Sequence, residues 1–338
     1  MKYTFDDVLI EPQFNVVKSR RDVDLKTMLF DVVMDIPVIS SNMDTVTEVE
    51  MAIAMRKNGG IGCLHRFYPE IINKMNDIKQ VGFKNVIVAV GLSDLEFNKA
   101  KEYIKIGCNK ICIDVAHGAS NDMVRQCAKI KAYARDINVP IYIIVGNFAS
   151  HNSLKLFLDC FPTKSSLPDC IKIGIGPGSV CTTRIKTGCG YPQLSAIEEL
   201  SKLAHSWNIN VIADGGMKTP GDIAKALGAG ADFVMLGGML AGTDETPGKL
   251  DFDDGLYKFY RGSASKESYD AQGKDDSWRT EEGKLIKIKY KGSVKSVLQD
   301  IEGGLRSACT YVGAHNLDIF RKNVNFIRVT NATKVENG

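Results

Sequence analysis

The 338-residue sequence predicts a single (β/α)8 TIM barrel, and three observations carry that prediction. Eight short apolar or β-branched runs recur along the chain, helix-like stretches separate them, and glycines punctuate the ends of those stretches. Several runs are almost continuously apolar rather than alternating, as strands covered on both faces are. Eight successive alternations favour a closed barrel over an open doubly wound sheet.

In order, the strand-like runs are Ile36–Ser40, Gly60–Leu64, Asn85–Val90, Lys110–Asp114, Pro140–Val145, Cys170–Ile173, Val211–Asp214 and Asp232–Leu236. A first helix, Thr47–Lys57, stops at Asn58-Gly59-Gly60. The second strand runs through His65 directly into a helix at Pro69–Lys79, which leaves no room for an inserted regulatory module. Leu95–Ile106 ends at Gly107, and Pro220–Leu227 ends at Gly228-Ala229-Gly230. Residues 105–114 and 226–235 resemble each other as a helix end followed by a strand start, which is βα periodicity rather than a tandem repeat. Two excursions interrupt the pattern, at 174–193 and at about 243–292, the latter rich in Gly, Lys, Asp, Glu and Ser. A loop that long in a compact domain is usually a functional lid or disordered. From about 293 to 338 a helical stretch and the apolar segment Phe326–Val329 complete one domain over 1–338, with the long excursion as its flap.

Composition excludes several classes. With 44% hydrophobic and 25% charged residues the chain is neither collagenous, mucin-like nor disordered. Forty-three Lys+Arg against forty Asp+Glu, with no long single-sign run, argue against a nucleic-acid footprint or a polybasic membrane patch. The nine cysteines are odd in number, scattered and never spaced as C-x-x-C, which argues against a disulfide framework or structural zinc and for a reducing cytosol. Met1–Pro12 carries Asp6, Asp7 and Glu11 and so lacks a signal-peptide pattern. No apolar run approaches the roughly 18 residues of a membrane span. A cytoplasmic protein is expected.

The chemistry concentrates after the last three barrel strands, where barrels of this kind hold their active sites. Ile171-Lys-Ile-Gly-Ile-Gly-Pro-Gly-Ser-Val-Cys-Thr-Thr-Arg184 follows the sixth strand, and its glycines permit a loop that turns amides or carbonyls inward around an ion or phosphate. Cys181 sits there among small and hydroxylated residues near Arg184, a setting for a nucleophile, with a buried structural cysteine as the alternative. The other eight cysteines read as core or incidental. Ile212-Ala-Asp-Gly-Gly-Met217 and Phe233-Val-Met-Leu-Gly-Gly-Met239 place Gly-Gly pairs after strands seven and eight. Phosphate binding through backbone N–H groups or simply tight barrel turns would account for them, and Asp214 has the chemistry to hold a ribose diol. Trp278-Arg-Thr-Glu-Glu-Gly283 puts carboxylates on the flap, as a general acid or base requires, although such a pair is more often solvated surface. Lys18-Ser-Arg-Arg21 is a candidate phosphate cluster, or a solvated turn.

These segments identify a resemblance over essentially the whole chain. Asp6-Asp-Val-Leu9, Ser41-Asn-Met-Asp44, Gly174–Arg184, Gly190-Tyr-Pro-Gln193, Asp214-Gly-Gly216, Met235-Leu-Gly-Gly238 and Gly303–Gly313 together resemble the inosine-monophosphate dehydrogenase / guanosine-monophosphate reductase superfamily. The dehydrogenases usually carry a regulatory insertion after strand two and an Arg-Tyr pair on the flap that activates water. Neither is present here. Glu281-Glu-Gly-Lys284, Tyr290-Lys-Gly292 and Asn325–Thr330 resemble the reductase branch. A dehydrogenase without its regulatory domain and an FMN-dependent barrel oxidoreductase are the alternatives, the latter having no need of a cysteine after strand six.

The resemblance implies NADPH-dependent reductive deamination of GMP to IMP and ammonia. Cys181 would attack C2 of guanine, and Thr183 with Glu282 would help protonate the departing amine. Asp214 would hold the ribose, Gly215, Gly216, Gly237 and Gly238 the phosphate, and Gly262, Ser263, Arg279, Glu282 and Gly283 would close over the nucleotide. NADPH would meet Asp114, Val115, Ala116 and Trp278, with its far end near Ser19, Arg20 and Arg66. Ser307 and Thr310 would come from a neighbouring subunit of a homotetramer. Carbonyls of Gly176, Gly178, Cys181 and Arg184 would hold potassium. Arg66 and Trp278 stand where a lysine and a tyrosine are expected, and the stretch 265–277 departs from the family pattern.

Overall fold

Eight parallel strands close into a barrel, each paired with the next and the last with the first. They are β1 (Val38–Ser40), β2 (Ile61–Leu64), β3 (Val86–Val90), β4 (Lys110–Asp114), β5 (Tyr142–Phe148), β6 (Cys170–Ile173), β7 (Asn210–Asp214) and β8 (Phe233–Leu236). The computed structural model describes residues 1–338 apart from 69, 252–254, 272–279 and 331–338. Helices α1 (Val49–Lys57), α2 (Ile71–Val81), α3 (Asp94–Lys105), α4 (Asn121–Asp136), α5 (His151–Asp159), α6 (Thr183–Thr187), α7 (Gln193–Ser206) and α8 (Pro220–Gly228) run between strands or follow them. Only residues 65–70 connect β2 to α2, so the connection carries no inserted module.

Local chemistry sets these boundaries. Ser93, Ser120 and Ser150 precede α3, α4 and α5, and each side chain accepts a hydrogen bond from a first-turn amide. Thr219 and Asp222 form a reciprocal capping box at α8, with Pro220 at the first helical position. The strand runs are mostly apolar because both faces are covered. Ile39, Cys63, Ile87, Cys112, Ile144, Cys170, Ile212, Phe233 and Met235 fill the barrel interior, and a second layer joins strands to helices.

Three features depart from expectation. The fifth strand begins at Tyr142 and continues through Gly146 and Asn147 to Phe148, with an irregularity between Gly146 and Phe148. A hairpin of Thr27–Leu29 and Val32–Met34 plugs the amino-terminal end of the barrel with Leu29, Val32 and Met34. Val8–Ile10 pairs with Phe326–Arg328. Each of those pairings is only three residues long, too short for a hydrophobic period to register.

The long excursion is not a bare loop. β9 (Tyr257–Arg261) and β10 (Leu285–Lys289) form an antiparallel hairpin, with α9 (Lys266–Ala271) between them. Arg261 anchors it to the barrel through Asp44, with Nη2 and Oδ2 2.5 Å apart. Beyond it lie α10 (Val294–Tyr311) and α11 (Leu317–Asn323). Among the described residues no helix is long and apolar enough to cross a membrane, and no cluster of three His, Cys, Asp or Glu suits a metal ion. Of the cysteines, 63, 108, 112, 127, 170 and 309 are buried, 160 and 189 exposed, and Cys181 half-buried.

Candidate active site

A cavity of about 720 Å³ opens at the carboxyl ends of the strands, a size within the usual range for small-molecule sites. Its floor is polar, its sides are the loops after β6, β7 and β8, and its roof is the flap hairpin.

The roof and the loop after β6 are joined by backbone. The Thr182 amide donates to the Glu282 carbonyl at 2.8 Å, and the Lys284 amide donates to the Val180 carbonyl at 2.9 Å. This makes an antiparallel bridge between Cys181 and Gly283. Side chains follow from that register. The Cys181 thiol donates to Thr183 Oγ1 at 3.2 Å, and the Thr183 hydroxyl donates to Glu282 Oε2 at 2.7 Å. Sulfur, hydroxyl and carboxylate therefore form one continuous donor chain facing the cavity. Its components lie about a hundred residues apart in sequence, and the hairpin brings them together.

The loop after β6 depends on close backbone approach. A Cβ on Gly174, which sits at φ 149°, would come within 2.1 Å of the Asp214 carbonyl. Arg184 holds the far side of the loop, donating from Nε to the Ile175 carbonyl at 3.3 Å and from Nη2 to the Tyr191 carbonyl at 2.5 Å.

On the floor, Lys172 of β6 stands between Asp114 of β4 and Asp214 of β7. Its Nζ is 2.5 Å from Asp114 Oδ1 and 2.9 Å from Asp214 Oδ2. Asn42 Nδ2 donates to Asp114 at 2.9 Å, and Asn147 Nδ2 donates to Asp214 at 2.9 Å. Burial opposes the lysine charge, yet the two carboxylates hold its ammonium well above the usual range. Burial pushes Asp114 up, but Lys172, Asn42 and Arg66 outweigh it and hold the carboxyl below its ordinary value.

Asp114, Val115, Ala116, Arg66, Cys181, Thr183, Asp214, Gly215, Gly216, Gly237, Gly238, Gly262, Ser263 and Glu282 all line this cavity, as do Gly176 and Gly178. Gly283 backs it through the bridge to Cys181. Ser19, Arg20, Ser307 and Thr310 do not line it. Ser19 and Arg20 lie at the 3-10 turn Arg20–Asp22 and Ser307 and Thr310 on α10, which meets that turn where Arg306 donates to the Arg20 carbonyl at 3.4 Å. Trp278 and Arg279 lie outside the described residues.

Sequence reasoning missed several lining groups: Lys172, Asn147, Ser41, Asn42, Met43, Ser179, Tyr260 and Lys291. A lysine inside the otherwise apolar run Cys170–Ile173 was the available signal for the first. Burial pushes the Tyr260 phenol up, so it remains a neutral donor beside Gly237 and Ser179. Among the described residues, Ser41 Oγ, Arg66 Nε and Asn147 Oδ1 are buried on the cavity wall without hydrogen-bond partners. Buried polar atoms without partners are costly, and their gathering at one cavity marks a place that a polar ligand completes.

Residues 2–338 match the model of the IMP dehydrogenase / GMP reductase domain. The GMP reductases of Shigella boydii serotype 18 and Escherichia coli O157:H7 are each 41% identical over 340 residues, covering 97% of this chain and 95% of the relative. A cysteine-to-alanine variant of GMP reductase from Trypanosoma brucei, crystallised with guanosine 5'-monophosphate, superposes with a TM-score of 0.88 at 27% identity, covering 100% of this chain and 97% of its own. The chain belongs to the IMP dehydrogenase / GMP reductase family.

Proposed function

We propose that this chain is a GMP reductase, converting GMP, NADPH and two protons into IMP, NADP⁺ and ammonium. The observation that carries the reading is the Cys181–Thr183–Glu282 donor chain closed by the flap. A sulfur nucleophile replaces one difficult displacement at C2 with two easier steps, and the amine it displaces is a poor leaving group that needs a proton.

Cys181 Sγ adds to C2 of the guanine ring, and its proton passes through the Thr183 hydroxyl to Glu282. Glu282 returns that proton, through Thr183, to the exocyclic amine as the C2–N bond breaks and ammonia leaves. C2 is then held as a thioimidate on Cys181. When bound, NADPH supplies the hydride that reduces C2. The C2–S bond breaks, the electron pair returns to Sγ, and IMP departs. The flap excludes bulk water that would otherwise hydrolyse the intermediate. A dehydrogenase must admit that water, and no Arg-Tyr pair is present to activate it.

Asp214 accepts from the ribose hydroxyls, and the amides of Gly215, Gly216, Gly237 and Gly238 surround the phosphate, with Gly262, Ser263, Arg279 and Gly283 covering the nucleotide. Asp114, Val115, Ala116 and Trp278 receive NADPH, with Arg66 toward its far end. The unpartnered Arg66 Nε on the cavity wall supports a fit for a polar cofactor there. Ser19, Arg20, Ser307 and Thr310, lying away from the cavity, serve the far end of a cofactor bound to a neighbouring copy in a cytoplasmic homotetramer. The carbonyls of Gly176, Gly178, Cys181 and Arg184 are an oxygen-only set suited to potassium, and the Arg184 side chain ties the two sides of that loop together through the Ile175 and Tyr191 carbonyls. The whole chain acts as one catalytic domain, with about 243–292 as its flap.

Absorbance at 340 nm tests the reading. Addition of GMP with NADPH in potassium buffer produces GMP-dependent loss of absorbance. Growth of absorbance from IMP with NAD, without loss from GMP, would assign the dehydrogenase reaction instead.

A further inference from the structure

The donor chain accounts for the reacting carbon but leaves one buried charge without a task. Lys172 is among the largest fully enclosed side chains of the protein, with 2% exposure, and it lies on a strand whose other residues are apolar. Burying an ammonium is costly unless opposite charges compensate it. Here two carboxylates do so, from two different strands, and both face the cavity.

The surrounding backbone makes room for it. A Cβ on Gly146 of β5 would stand 2.6 Å from Lys172 Cβ, so any larger residue on the neighbouring strand would displace the lysine. Asn147, the next residue, donates from Nδ2 to both the Gly174 carbonyl and Asp214 Oδ2, the same oxygen that accepts from Lys172. At Asp114 the two donors take separate oxygens, Asn42 on Oδ2 and Lys172 on Oδ1. The result is a row of Asn42, Asp114, Lys172, Asp214 and Asn147 across the barrel floor, with the lysine at its centre.

We propose that Lys172 is a positioning residue shared by the two ligands: it holds Asp214 for the nucleotide ribose and Asp114 for the cofactor, so one ammonium sets the affinity of both. This rests on the assignment of Asp214 and Asp114 to GMP and NADPH. Without the lysine, two carboxylates of like charge share the cavity floor with no cation between them, and each loses the charged hydrogen bond from the lysine.

Direct binding tests the proposal without turnover. Titration calorimetry measures the dissociation constants of GMP alone and of NADP⁺ alone for wild type and for Lys172→Met, Lys172→Arg, Asp214→Asn and Asp114→Asn, with thermal unfolding followed in parallel. Lys172→Met weakens both ligands by about ten- to hundredfold, the cost of losing a hydrogen bond to a charged group. Lys172→Arg restores the greater part of both. Asp214→Asn weakens chiefly GMP, and Asp114→Asn chiefly NADP⁺. A folded Lys172→Met protein that loses affinity for one ligand alone, or for neither, overturns the proposal. Should that variant not fold, Lys172→Gln, which keeps a donor but not the charge, must weaken both ligands, and loss of one alone is again fatal. If wild type binds both ligands yet consumes no NADPH with GMP, the assigned reaction fails while the paired constants still decide the role of Lys172.

Discussion

Both ends of the barrel bury a lysine, and the two are held for different ends. At the amino-terminal end Lys110 of β4 pairs with Asp31 of the plug hairpin and donates to the Lys84 carbonyl at 3.0 Å and to Asn109 Oδ1 at 2.9 Å. Phe30 at the hairpin tip stacks on Tyr142 with ring centroids 4.6 Å apart. The charge there is spent on closing the protein against itself. At the carboxyl end Lys172 is bracketed by carboxylates that face an open cavity, and nearby Ser41, Arg66 and Asn147 leave buried polar atoms unpartnered. A buried ion pair alone says little about function; what distinguishes the two ends is the unmet hydrogen-bonding capacity around the second.

Substitutions at the two ends should therefore fail differently. The largest effect belongs to the reacting sulfur. Cys181→Ala should lower kcat for GMP-dependent NADPH oxidation by at least about a thousandfold, with GMP still bound in a titration. Glu282→Gln keeps the hydrogen bond from Thr183 but removes the proton acceptor. It should lower kcat about a hundredfold with a much smaller change in the KM for GMP. If the loss fell on KM instead, Glu282 would be a binding residue only.

At the closed end, Lys110→Met should leave kcat and both KM values near wild type while costing roughly 2–3 kcal/mol in a denaturant titration. A loss of activity in the folded variant would erase the distinction between the ends.

A gradual, pH-dependent effect concerns a third buried lysine, in the helical layer. Among the described residues no carboxylate forms an ion pair with Lys74 of α2, and Glu96 acts on its charge only at a distance. Lys74 donates to the Ala89 carbonyl at 2.8 Å and lies beside the Tyr68 and Tyr103 rings, and burial lowers it to about 7. Its folded value lies below its unfolded one, so the unfolded chain binds the extra proton between the two. Stability of wild type relative to Lys74→Met should therefore rise with pH from about 7 upward, by at most ~1.4 kcal/mol per unit, and level off below about 7. A flat difference across that range would show that Lys74 is charged in the folded protein.

How much of this was legible in the sequence follows from the range of the interactions. All eight barrel strands were readable because burial on both faces leaves a continuous apolar run, and Lys110–Asp114 and Cys170–Ile173 match their observed bounds. Cys181 and the glycine pairs announced themselves by composition. The plug hairpin and the pairing of Val8–Ile10 with Phe326–Arg328 did not, since three-residue strands carry no period and their partners are fixed by tertiary contact. Glu282 reached the catalytic set only by family resemblance; on its own, a Glu-Glu pair in a polar loop is ordinary surface. The hairpin of β9 and β10 is what carries it to Thr183. Lys172 was hidden within a run read for its hydrophobicity, although a charge in such a run has to be compensated somewhere.

The most direct measurement of the central claim follows ammonia and NADPH together in wild type and Cys181→Ala, with GMP as substrate. The account predicts equimolar ammonia release and NADPH loss in wild type and neither in the variant. GMP-dependent ammonia release or NADPH loss that survives in the variant would show that the reaction does not pass through Cys181.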